Sequence, residues 1–325
     1  MLRKLYNPSL FQGNLRKKSY FEGWYFKHII PDLGTAISII PGISLARSDP
    51  HSFIQVMNGA RGETHYLRYP YNSFKWDSRN FYLKVGDSEF TEKGIKLEIS
   101  GDDIRLQGEA EFSNLVKYPS SLLSPGIMGW YSFVPFMECN HGVVSVSHDL
   151  TGEVLYNGEV FNFDGGKGYI EKDWGTSFPE AWIWIQSNVF EDWSCSFMMS
   201  IAKIPWMGKF FIGLISFLHL QNRFYIFATY NKSTFSIVRN NAEEMVIKTQ
   251  NHAFALTVQV IKNSFCDLKA PVAGEMSRGI KESADSVVNL RLSDNTGKEI
   301  YNDTGRVVGL EIIEEIFDYV KPVDH

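Results

Sequence analysis

The feature that most constrains this chain is its punctuation. Short segments rich in β-branched and aromatic residues follow one another along most of its length, each stopped by turn-forming residues. Gly23–Ile30, Thr35–Ile40, Ser52–Met57, Phe81–Val85, Lys96–Ile99, Ile104–Phe112, Val143–His148 and Glu153–Phe163 read as strands. Between them fall Pro31-Asp32-Leu33-Gly34, Asn58-Gly59, Gly101-Asp102-Asp103 and Asp164-Gly165-Gly166, residues that favour tight turns. The second half continues with Ala181–Asn188, Ser194–Ala202, Arg223–Thr229, Thr234–Val238, Glu244–Thr249, Ala253–Ile261, Val287–Leu292 and Gly309–Glu311. Helical periodicity is confined to a short turn near Ile312–Tyr319. The expectation is an all-β protein of barrels or a sandwich.

The 325 residues exceed what one barrel needs and suit two domains. Phe21-Glu22-Gly23-Trp24 is echoed by Phe190-Glu191-Asp192-Trp193, each opening a strand-rich half. The expected division is 1–180 and 181–325. With no long linker between them, the halves are expected to pack together, and ligand cavities favour such junctions and barrel mouths.

Charge narrows the function. The net charge of -5 gives no basic face for nucleic acid. Arg16-Lys17-Lys18, beside Arg3 and Lys4, reads as a solvated terminal segment or as a contact with anionic lipid headgroups. Three widely spaced cysteines, Cys139, Cys195 and Cys266, argue against a disulfide framework and for a reducing cytoplasm. The N-terminus lacks an apolar core of signal-peptide length, which predicts no secretion by that route. Residues 204–221 contain an apolar run, Phe210–Leu218, that is too short to span a bilayer as a helix. It reads as buried strands or a core helix, or as an exposed loop touching a membrane surface.

Chemistry concentrates in Gly168–Asn188. Strand alternation puts Glu171 and Asp173 on one face, and Trp182, Trp184, Gln186 and Asn188 on one face of the next strand. Three successive charges, Glu171-Lys172-Asp173, flanked by Trp174 and Gly175, are poor core material. They suit a pocket wall or a surface ion-pair cluster. In Ser19–Lys27, Glu22, Trp24 and Phe26 alternate with Tyr25 and Lys27. Glu22 reads equally as a buried acid, a strand cap or a partner of Lys172. Cys139-Asn140-His141 with His148 lacks a second compact ligand pair, so no metal is expected; His141 suits a proton donor or hydrogen-bond partner. No dinucleotide fingerprint, P-loop or nucleophile elbow occurs.

These blocks resemble the tocopherol cyclase family: YFEGWYFK at 20–27, His141 to Gly152, GYIEKDWGTSFPEAWIWIQSN at 168–188, RGIKES at 278–283 and GLEI at 309–312. The resemblance implies two lipocalin-like (calycin) barrels, shared more distantly with carotenoid hydratases. It implies an intramolecular lyase, an isomerase of vitamin E type, that closes a prenylated benzoquinol to a chromanol without cofactor or metal. On that implication Asp173 is the first-choice acid, followed by Glu171 and Glu22, with Lys172 balancing a carboxylate. Trp24, Tyr25, Trp174, Trp182 and Trp184 would line the cation path; Gln186 and Asn188 would hold the quinol oxygens. The N-terminus lacks a transit-like extension, so the chain resembles bacterial members and is expected in the cytoplasm, with a peripheral membrane contact open. The alternative function is a lipocalin-like carrier of an apolar isoprenoid or lipid.

Overall fold

The computed structural model describes residues 2–320. Twelve strands form the first sheet: β1 (Phe21–Ile30), β2 (Thr35–Ser44), β3 (His51–Asn58), β4 (Glu63–Pro70), β5 (Lys75–Trp76), β6 (Tyr82–Val85), β7 (Ser88–Thr91), β8 (Gly94–Ser100), β9 (Arg105–Val116), β10 (Cys139–Tyr156), β11 (Glu159–Asn162) and β12 (Lys167–Gly175). Their order is β4-β3-β2-β1-β12-β10-β9-β8-β7-β6-β5, with β11 on β10. Ten strands form the second: β13 (Trp182–Ser187), β14 (Ser196–Trp206), β15 (Lys209–Leu220), β16 (Arg223–Ala228), β17 (Thr234–Asn240), β18 (Glu244–Gln250), β19 (Phe254–Ile261), β20 (Cys266–Val272), β21 (Glu275–Asp294) and β22 (Glu299–Ile312). Here the order is β16-β15-β14-β13-β22-β21-β19-β18-β17, with β20 on β21. Each is a curled antiparallel sheet, so the all-β, lipocalin-like expectation holds.

One compact unit comprises the chain up to Phe178 together with Leu268–Gly279; the other comprises Pro179–Asp267 and the chain from Ile280 on. The first sheet curls around an aromatic core. Trp24 and Phe26 of β1 are fully buried there, Phe26 meeting Phe90 at 5.4 Å and Phe81 at 6.1 Å between ring centroids. The N-terminal segment closes one end of this core: Phe11 sits edge-on to Phe74 at 5.2 Å and to Trp76 at 4.8 Å.

Three features differ in detail from the sequence expectations. The run 204–221 is an antiparallel hairpin of β14 and β15; Leu214, Phe217, Leu218 and Leu220 are buried, while Met207 and Phe210 at the turn are exposed. The segments Val143–His148 and Glu153–Phe163 are not two separate strands. β10 runs through Tyr156, its ladder interrupted by bulges that obscure the alternation. The echo Phe190–Trp193 lies in the connection after β13, not at a strand start like Phe21–Trp24. Among the described residues, no helix is long and apolar enough to cross a membrane.

Candidate functional site

β12 lies between β1 and β10, and its alternation sorts the Glu171-Lys172-Asp173 triplet onto two faces. Lys172 and Trp174 share the inner face with Glu22 and Trp24. Tyr169, Glu171 and Asp173 share the other with Tyr25, Gly23 and His141; Tyr25 stands opposite Glu171, and His141 opposite Asp173.

On the inner face Lys172 and Glu22 form a fully buried ion pair. Glu22 also accepts from the Tyr20 hydroxyl at 2.5 Å and from the backbone N–H groups of Gln12 at 2.7 Å and Gly13 at 2.9 Å. Lys172 Nζ donates to the carbonyls of Leu10 at 2.6 Å and Pro8 at 2.8 Å, and lies 4.4 Å and 4.8 Å from the ring centroids of Trp24 and Trp174. Burial pushes the Lys172 ammonium down to about 8, partly offset by Glu22, and burial beside Glu22 holds the Tyr20 phenol well above its ordinary range. Both Glu22 oxygens and two Lys172 protons thus hold residues 8–13 against the sheet. The faces of Trp24 and Trp174 are taken by this ammonium, away from Asp173.

On the other face the polar groups cluster against one another. His141 Nδ1 lies 2.9 Å from Asp173 Oδ1, and His141 Nε2 lies 3.5 Å from Glu171 Oε2. The Tyr169 hydroxyl donates to Glu171 Oε2 at 2.6 Å, and the Cys139 thiol reaches Asp173 Oδ1 at 3.9 Å. Burial alone lowers the proton affinity of His141, but Asp173 and Glu171 outweigh it and raise the imidazole to about 9. His141 is therefore an imidazolium at neutral pH, hydrogen-bonded to Asp173 through Nδ1, while its buried Nε2 lies near Glu171 without a hydrogen bond. Burial, reinforced by Asp173, raises the Cys139 thiol well above its usual range, so it is no thiolate nucleophile. The Asp173 side chain keeps 24% of its surface exposed against 6% for Glu171, so Asp173 is the more accessible carboxylate. His141, Glu171 and Asp173 offer ligand atoms within 4.8 Å of one another and are the described group that could hold a metal ion. A proton on His141 satisfies the same geometry.

The last residue of this strand, Gly175, is a glycine for a steric reason. Its φ is 157°, and a Cβ there would stand 2.1 Å from the Glu138 carbonyl oxygen. Beside it a cleft of about 350 Å³ is lined by Gln12, Lys17, Tyr20, Phe136, Asn140 and Trp174, among others.

The remaining sequence candidates lie in the second unit. Trp182, Trp184 and Gln186 alternate along β13 and are buried, as is Asn188 just beyond it. The Trp182 indole donates to Glu311 Oε2 at 2.6 Å, and Glu311 stands opposite the buried Glu282 in the β21–β22 ladder. The Trp184 ring fills the space above Gly309, where a Cβ would meet it at 2.7 Å. Sequence reasoning passed over Glu282 and Glu311 as chemical groups although both sit in the RGIKES and GLEI blocks. Two acids a hundred or more residues from Trp182 carry no local signal that they share its surroundings.

A family model described as tocopherol cyclase-like matches residues 110–313. A protein of Oryza sativa subsp. japonica named "Probable tocopherol cyclase, chloroplastic" is 31% identical over 103 residues, 30% of this chain and 22% of that protein. "Tocopherol cyclase, chloroplastic" of Zea mays is 42% identical over 62 residues, 19% of this chain and 13% of that protein. The chain spans less than a quarter of the length of the curated relatives it matches. Among solved structures, kievitone hydratase from Nectria haematococca superposes with a TM-score of 0.52 at 9% identity, covering 90% of this chain and 88% of that one. CghA superposes with a TM-score of 0.56 at 7% identity over the same shares. At such identities the shared property is the fold, whereas the family model covers more than half of the chain. The chain belongs to the tocopherol cyclase-like family.

Proposed function

We propose that this chain is a cofactor-independent cyclase that closes a prenylated benzoquinol to a chromanol. The observation that carries the reading is the imidazolium of His141 held between Asp173 and Glu171, with Asp173 the accessible partner. An apolar prenyl chain placed on Asp173 excludes water from the site. The proton then shifts from His141 Nδ1 along the 2.9 Å contact to Asp173. Asp173 adds it to the first alkene of the prenyl chain. The π electrons form the new C–H bond and leave a tertiary cation at the neighbouring carbon. The phenol oxygen supplies a lone pair to that cation, forming the C–O bond, and its proton returns to the carboxylate. Atoms and charge balance with no oxidant or reductant.

Glu171 and Tyr169 hold His141 from its far side, so the proton source keeps its orientation through the cycle. A carrier needs apolar walls and one anchor; a chain of four coupled titratable groups exceeds that requirement. The test is anaerobic incubation of the purified protein with 2-methyl-6-phytylbenzoquinol and chromatography for the chromanol. Asp173→Asn is expected to abolish turnover while the fold survives, with a melting temperature lowered by the loss of the His141 partner. An active Asp173→Asn protein removes Asp173 as the acid.

A further inference from the structure

We propose that the uncharged segment Tyr118–Met137 and the basic segment preceding Glu22 form one docking surface for an anionic lipid bilayer. The two stretches have unusual and complementary compositions. From Tyr118 to Met137 there is no Asp, Glu, Lys, Arg or His. Before Glu22 there are five cations, Arg3, Lys4, Arg16, Lys17 and Lys18, and no acid. Connecting segments that face water are ordinarily polar, because their backbone and side chains must be solvated.

This uncharged segment does face water. Leu122 and Leu123 stand at the tip of a tight turn closed by backbone hydrogen bonds between Ser121 and Ser124, at 84% and 80% exposure. Phe136 is fully exposed and holds a φ of 65°, a left-handed conformation that bulky side chains seldom adopt. Trp130 and Phe133 are close to half exposed. Apolar side chains grouped this way mark a surface that is covered in use.

The two segments meet. The Tyr6 hydroxyl donates to the Leu122 carbonyl at 2.8 Å, and Lys17 and Tyr20 line one cleft together with Val134, Phe136 and Met137. Arg16, Lys17 and Lys18 are all exposed. Apolar tips with an interfacial Trp, flanked by cations, fit the acyl–headgroup boundary of a membrane whose lipids carry negative charge. A protein partner explains the leucines equally well, but not five cations without a single acid. The role of the surface rests on the proposed function, because a prenyl quinol is dissolved in membrane.

The test is co-sedimentation with phosphatidylcholine vesicles, with and without phosphatidylglycerol. The intact chain is expected to bind the anionic vesicles, and added salt to release it. Leu122→Ser/Leu123→Ser and Arg16→Gln/Lys18→Gln are each expected to weaken binding by roughly tenfold, with the melting temperature unchanged because all four side chains are exposed. A chain that stays in the supernatant, or leucine variants that bind as well as the parent, overturns the proposal. So does a homodimer in light scattering that the leucine variant abolishes, which assigns the surface to a second copy. Turnover separates this idea from the function beneath it. The leucine variant is expected to slow conversion of vesicle-borne quinol but not of detergent-dispersed quinol. No turnover in either form, with vesicle binding intact, contradicts the cyclase and leaves the docking surface standing.

Discussion

Lys172 and Glu22 pair across the β1–β12 ladder where no solvent reaches either side chain. Removing one partner leaves an uncompensated buried charge, which costs far more than the pair contributes. Lys172→Met is expected to lower the unfolding free energy by about 3–5 kcal/mol. Glu22→Gln in the same chain is expected to recover part of that. Urea titrations of the single and double variants measure both. A single-variant loss below about 1 kcal/mol contradicts a dry pair.

On the proposed function, the proton on His141 sets the alkaline limit of turnover. Its folded affinity, raised to about 9, keeps the imidazole charged through neutrality. Turnover is expected to hold below pH 8 and to fall about tenfold per pH unit above about 9. The stability linkage has the same sign. A histidine whose affinity is raised on folding stabilises the fold fully below its unfolded value of about 6.5, and that contribution is lost as pH rises through about 9. His141→Gln is expected to remove the alkaline limb together with most activity. EDTA is expected to leave the rate unchanged.

His28 and His148 act in the opposite direction. His28 is buried among Phe26, Phe112 and Phe163 and His148 against Phe112, and burial drives their affinities down to about 4 and about 3. The unfolded chain takes up these protons below about pH 6.5 while the folded chain does not. Stability is therefore expected to fall on acidification from that point, by about 3 kcal/mol for His28 by pH 4. Melting curves of His28→Phe across this range are expected to show a shallower acid slope. An unchanged slope rules out this burial cost.

Gly175 tests the end of the site strand. A Cβ there would run into the Glu138 carbonyl, so Gly175→Ala is expected to cost about 2–3 kcal/mol and to shift Asp173, two residues before it. Reduced stability with reduced turnover is the expected pair of readings; a variant as stable as the parent contradicts the close approach.

Much of this architecture was legible from local pattern. Strands such as Gly23–Ile30 and Glu244–Thr249 carry their own alternation and turn signals, and the same alternation already placed Glu171 with Asp173. What escaped depends on pairing across the chain. β4, ETHYLRYP, is a partly exposed edge strand with no apolar face to betray it. Tyr118–Met137 read as unassigned connection, because exposure is set by tertiary structure and leaves no periodic mark. His141 could be named as a polar candidate, but its position opposite Asp173 comes from the bulged β10–β12 ladder. The engagement of Glu22 by Gln12 and Gly13 likewise comes from a segment without regular structure.

The central claim is protonation of an alkene by the Asp173–His141 pair, and isotope placement tests it most directly. The quinol is converted anaerobically in deuterium oxide and the chromanol is analysed by NMR and mass spectrometry. One deuterium is expected, on the ring carbon that had been the hydrogen-bearing alkene carbon, and no product from Asp173→Asn. A chromanol without deuterium at that carbon, or the same labelled product from Asp173→Asn, contradicts that claim.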